Sequence, residues 1–145
     1  MTKVVVKIGF VPSYRGGYRS ISPWCIKMRA DSLAILAQVE GMEIVVPQPC
    51  PDDNNIVDAT KEYVPDVAVC NLDQAEVVAE YFLREKVDGV IICALNFGDE
   101  RSAAKIAEKL KVPVLLYATK EPPAREDASL ERISDSYCGT LRKHG

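Results

Sequence analysis

Gly89-Val90-Ile91-Ile92-Cys93-Ala94 decides the fold. The run carries no charge and is rich in β-branched side chains, so it does not alternate between apolar and polar residues. A strand of that kind is covered on both faces, as strands of a parallel sheet are. Working outward, residues 73–86 place Ala75, Val78, Ala79 and Phe82 on one helical face. Downstream, Asp99 is a helix cap. Ala103, Ile106, Ala107 and Leu110 form the inner stripe of the next helix, with Lys109 and Lys111 at the end its dipole favours. Pro113-Val114-Leu115-Leu116-Tyr117-Ala118 follows as another strand, with Pro at its first residue, where a strand tolerates it.

The same alternation runs back to the start. Residues 4–10 are apolar at nearly every position and read as a strand buried on both faces. Residues 12–22 form a polar, glycine-containing loop. Ser22-Pro23 opens a helix, whose predicted inner face is Ile26, Ala30, Leu33 and Ala37, and Gly41 stops it. Residues 43–46 are a short strand running into Pro47, Pro49 and Pro51, and residues 52–55 are loop. Residues 56–63 read as a helical turn or two, and 67–70 as a short strand or an extended connection. Strands alternating with helices imply right-handed crossovers. The expected fold is therefore α/β: a three-layer, open, mostly parallel sheet of the flavodoxin-like or Rossmann-like kind. Residues 1–128 make up the α/β domain and residues 129–145 a tail.

Composition narrows the function. The chain has 145 residues, is 48% hydrophobic and 27% charged, and carries a formal net charge of −3. That suits one globular domain with a full core. A mildly acidic chain without a basic run argues against nucleic acid or an anionic membrane as partner. No stretch is long and apolar enough to cross a bilayer, and no signal-peptide layout is present. The five cysteines, Cys25, Cys50, Cys70, Cys93 and Cys138, are widely spaced with no C-x-x-C pair, which fits reduced thiols in a cytoplasm. The single histidine, His144, excludes a histidine triad or a multi-histidine metal site.

Ligands of such sheets bind beyond the carboxyl ends of the strands. Here those loops are 11–22, 48–55, 95–99 and 119–123. The first contains Tyr14, Arg15, Gly16, Gly17, Tyr18 and Arg19. Arginine donors can grip hydroxyls, carboxylates or phosphates, and tyrosine rings can lie against a sugar face. The plain alternative is a solvated loop whose arginines pair with surface acids. The loop matches neither dinucleotide nor Walker patterns, which disfavours both nucleotide sites. Asn96, Phe97, Gly98 and Asp99 open a helix whose backbone N–H groups can receive a ligand oxygen, or Asp99 simply caps it. The acidic stretch Asp52, Asp53, Asn54, Asn55 and Asp58 lacks EF-hand spacing and reads as a solvated loop. The cysteines are structural, Trp24 packs helix to sheet, and no catalytic set emerges from these residues.

Three segments resemble the N-terminal region of the L-fucose isomerase and L-fucose/L-arabinose isomerase family. They are Lys7-Ile8-Gly9-Phe10-Val11-Pro12-Ser13-Tyr14-Arg15, then Asp88-Gly89-Val90-Ile91-Ile92 with Leu95-Asn96-Phe97-Gly98-Asp99-Glu100, then Ser134-Asp135-Ser136-Tyr137-Cys138-Gly139-Thr140-Leu141. The resemblance implies an aldose–ketose isomerase of carbohydrate metabolism that uses a divalent metal, commonly manganese. Its metal ligands lie in later domains, so it implies no metal ligand, cofactor or catalytic residue in this chain, and no activity for this chain alone. It implies a substrate-recognition and oligomerisation domain, with a small-molecule sugar and further copies of the chain as partners. Tyr14, Arg15, Arg19, Asn96 and Phe97 are the implied substrate-binding residues. The tail resembles the start of the family's next segment, cut short at Gly145.

Two other classes stay open. One is a small non-enzymatic, flavodoxin-like ligand-binding or regulatory module. Its phospho-receiver version lacks the acidic pair after the first strand, and its flavin version lacks the Ser/Thr-rich loop. The other is an interaction subunit that completes its active site on a separate chain.

Overall fold

A computed structural model describes residues 5–15, 23–47, 68–120 and 136–137, with side chains of the first helix described from Cys25 onward. Seven elements follow in order: β1 (Val6–Ser13), α1 (Pro23–Leu36), β2 (Met42–Val45), α2 (Leu72–Glu85), β3 (Gly89–Ala94), α3 (Glu100–Leu110) and β4 (Val114–Ala118). The strands form one four-stranded, all-parallel sheet in the order β2-β1-β3-β4. That order is the flavodoxin-like one, with its reversal point between β1 and β3. The expected α/β open parallel sheet is the fold observed. The expectations for Trp24, for residues 48–67, for Arg19, Cys50, Cys138 and His144, and for all of the tail except Ser136 and Tyr137 lie outside the described residues.

Helices cover both faces. β3 is buried at every position, and its side chains divide between two apolar clusters as period-2 alternation requires. Val90 and Ile92 join Val11, Ala75, Val78, Ala79, Phe82, Ala103 and Ile106 under α2 and α3. Ile91 and Cys93 join Phe10, Tyr14, Cys25 and Met28 under α1. Gly9 lets α2 come close: a Cβ there would lie 2.7 Å from Cε2 of Phe82, whose ring is fully buried. Asn71 caps α2 by accepting from the Gln74 N–H at 2.9 Å, and Asp99 caps α3.

Three expectations need correcting, and a fourth, borne out, is extended. β1 ends at Ser13 rather than Phe10. Pro12 does not stop it, because Pro12 faces the β2 side, where β2 has already ended opposite Gly9. There its carbonyl accepts the Val69 N–H, and no partner strand needs the N–H that proline lacks. β1 is not buried along its whole length, since Val5 and Val6 are 52% and 40% exposed. On α1 the predicted face is rotated: Ile26, Ala30 and Ala37 are exposed, and Cys25, Met28 and Ser32 are buried instead. Apolar residues lie all round this helix, so its pattern selects no face. Lys109 does more than complement a dipole: it pairs with Glu76 and with Glu80 (3.1 Å) on α2, while Lys105 reaches Glu76 at 3.1 Å. Smaller shifts move β2 to Met42–Val45 and reduce 67–70 to a single parallel bridge, Ser13 to Val69.

β4 is apolar yet poorly covered. Leu115 is 59% exposed, and α1 across from it leaves Ile35 63% exposed. A cavity of about 150 Å³ lies between them, past Ser32, Leu36 and Tyr117. No described helix is long and apolar enough to cross a membrane.

Candidate functional site

The carboxyl ends of β1 and β3 lie at the reversal point of the sheet, the place where folds of this kind hold ligands. Parallel pairing carries β1 alongside β3 up to Ser13 opposite Ala94. The Leu95 N–H then donates to the Ser13 carbonyl at 3.0 Å, so the two chains leave the sheet together. Past that point the β1 loop and the β3 loop are joined by side chains. Asn96 is 4% exposed, and its Oδ1 accepts from the backbone N–H of Arg15 at 2.8 Å and of Gly98 at 2.9 Å. Ser13 Oγ accepts from the Asp99 N–H at 3.3 Å. Gly98 has φ of +71°, a conformation that favours glycine and lets the chain double back onto Asn96.

Three of the five predicted site residues, Arg15, Asn96 and Phe97, meet here; Tyr14 turns into the core, and Arg19 lies outside the described residues. Arg15 carries its guanidinium carbon 5.1 Å from the centre of the Phe97 ring, within cation–π range. Phe97 and Arg15 are both half-buried, so the pair contributes to the surface at the reversal point. Tyr14 is placed differently from the expectation that its ring lies against a sugar. It is 1% exposed and packs beneath α1. The cause is the longer β1: strand alternation continues through Phe10, Pro12 and Tyr14, which turns the ring into the core.

Three hydroxyl residues that carry no sequence pattern also matter. Ser13 ties the loops together, as above. Ser136 is fully buried and accepts the Thr119 N–H at 2.8 Å while donating to the Ala94 carbonyl. Ser102 donates its N–H to Asp99 Oδ2 at 3.3 Å and its hydroxyl to the same oxygen. Ser136 belongs to the third segment of the family resemblance, so the described part of that segment closes over the ends of β3 and β4.

Burial sets the state of the thiols. Burial first, and the negative charge of Asp99 second, push the Cys70 thiol up to about 12. It is therefore a thiol at neutral pH, not a nucleophile. Cys25 directs its thiol at the Leu95 carbonyl, 3.0 Å away. Among the described residues, no group of three or more His, Cys, Asp or Glu side chains is placed to hold a metal ion. The divalent metal implied by the resemblance does not fit the donors described, and no step in this chain is routed through it.

Comparison with known proteins adds the ancestry. No curated protein matches the chain significantly. The sequence profile of a family described as "Fucose/sulfoquinovose isomerase, N-terminal domain" matches residues 43–143. The match takes in β2 through β4, the Asn96-Phe97-Gly98-Asp99 loop and Ser136. With most of its length matched in this way, the chain belongs to the fucose/sulfoquinovose isomerase N-terminal domain family.

Proposed function

We propose that this domain recognises the open-chain sugar for an aldose–ketose isomerase of the cytoplasm, and that it performs no chemistry alone. The observation that carries the reading is the set of side chains at the carboxyl ends of β1 and β3, where the strand order reverses. Arg15 lies over Phe97 there, and Asn96 fixes both loops from beneath. An aromatic edge and a guanidinium fork suit the mixed apolar and hydroxylated surface of a sugar. Tyr14 supports the Arg15 loop from the core, and Arg19 belongs to the same loop in sequence. The manganese-type metal and the proton-shuttling carboxylates belong to other parts of the assembly.

Oligomerisation is the second half of the proposal. The apolar surface of α1 and β4, with Ile35 and Leu115 exposed, supports burial against further protein. That protein is another copy of the chain or a later domain of the same enzyme.

The test is an NMR titration of the ¹⁵N-labelled chain with L-fucose, L-fuculose and sulfoquinovose. The amides of Arg15, Asn96, Phe97 and Gly98 are expected to shift together and saturably. Shifts confined to other surfaces, or none with any of the sugars, would overturn the reading. Ketose formation from L-fucose by this chain with Mn²⁺ would overturn the claim that it performs no chemistry alone.

A further inference from the structure

The Asn96 side chain has two ends, and the structure accounts for one. Two backbone N–H groups, from Arg15 and Gly98, point at the same amide atom at 2.8 and 2.9 Å. Only an oxygen can accept both, so the orientation of the amide is settled by its neighbours. The nitrogen must then lie on the opposite branch. Nδ2 makes no hydrogen bond with any described residue. Nor is it one of the buried, unpartnered polar atoms, as Gln74 Nε2 is. Asn96 itself is 4% exposed, so very little of it other than that branch can meet solvent.

An amide held this way is a fixed donor. Its rotation is arrested by two hydrogen bonds from two different loops, at the point where the sheet reverses. A donor that needs no ordering on binding contributes more of its hydrogen bond to affinity than a mobile side chain does. A buried amide also discriminates strongly, because a ligand without an acceptor at that position leaves the N–H unpaired.

We propose that Asn96 Nδ2 is the specificity-determining donor at the reversal point, reading an acceptor oxygen (a hydroxyl or carbonyl) of the bound sugar, while Oδ1 of the same residue positions the loops that carry Arg15 and Phe97. This rests on the sugar-recognition reading above. It assigns separate tasks to two atoms of one residue, which makes them separable by substitution.

Asn96→Asp keeps an oxygen for the Arg15 and Gly98 N–H groups and replaces the donor with a second acceptor. Asn96→Ala removes both. In the free proteins, the Arg15 and Gly98 amide resonances of Asn96→Asp should stay near their wild-type positions, and those of Asn96→Ala should move. In sugar titrations followed by the shifts of Phe97 and Gly98, Asn96→Asp should bind roughly tenfold more weakly or worse. Methylating or removing sugar hydroxyls one at a time should identify one oxygen whose loss weakens the wild type and leaves Asn96→Asp unaffected. Wild-type affinity in Asn96→Asp, with its loop amides in place, would overturn the donor assignment and leave sugar recognition standing. Absence of switch-point shifts with every sugar in the wild type would overturn sugar recognition itself, and the donor assignment with it.

Discussion

The two faces of the sheet are built from similar amounts of apolar sequence and end in different states. Under α2 and α3 the centre of the core is closed, with a cavity of about 260 Å³ at its edge between α3 and β4. Phe82 and Ile106 are fully buried, and the helices are laced together outside by Glu76, Glu80, Lys105 and Lys109. On the other face α1 is the one helix among the described residues, and Ile35, Leu115 and Tyr117 are exposed. A closed face follows from amphipathic helices with one apolar stripe each. An open face follows from a helix and a strand that are apolar on more sides than their described neighbours can cover.

The largest break in that contrast should come from Phe82→Ala. It empties the centre of the closed face and should cost about 3–5 kcal/mol in urea unfolding. A loss under about 1 kcal/mol would mean that α2 is not seated as described. Next is Gly9→Ala, which places a methyl group against the same ring. About 1–3 kcal/mol is expected, and Phe82→Leu in the same background should restore part of it, because the clash is with the ring.

The open face should answer weakly. Ile35→Glu, at a residue 63% exposed, should change stability by no more than about 0.5 kcal/mol. The same substitution should reduce binding of a hydrophobic dye such as ANS. A large destabilisation would show that α1 packs on its other side.

Cys70 sharpens the contrast through pH. Its thiol is raised from 9.0 to about 12. The folded state holds the proton more tightly than the unfolded state, so its contribution is present below pH 9 and is lost as pH rises toward 12. Cys70→Ala should flatten that alkaline decline, and thiol labelling of Cys70 at pH 8 should require unfolding.

The smallest effect belongs to the surface lacing. Hydrogen bonds from Lys109, then Lys105, hold the Glu76 carboxyl below its usual 4.5. The pairing is thus present above that pH and fades as acid protonates Glu76. Lys109→Met should produce a slight loss of stability that disappears in high salt.

Legibility in the sequence followed the same division. α2 and α3 could be read from periodicity because each has one environment per face, and β3 from an unbroken apolar run. The face of α1 could not, since Ile26, Ala30 and Leu33 are as apolar as Cys25 and Met28, and tertiary packing chose between them. The end of β1 was hidden by Pro12, whose harmlessness depends on where β2 stops. Beyond the sheet, Arg15 stood out from its loop position, and Asn96 and Phe97 were singled out for sugar contact through the family resemblance. Ser13 and Ser136 were not, because a hydroxyl that joins two loops leaves no spacing rule. The inward turn of Tyr14 was set by a strand boundary three residues from its expected place.

The seam between β1 and β3 has a consequence for how the chain is made. It pairs Ile8 with Gly89 and, past the strands, Arg15 with Asn96, partners 81 residues apart. At roughly 5–20 residues per second of translation, the β1 segment waits on the order of ten seconds before its central partner exists. Until then its apolar Val4-Val5-Val6 and Ile8-Gly9-Phe10 are available to chaperones and to other nascent chains. The strand that organises the finished sheet is, on the ribosome, the segment left longest without its neighbour.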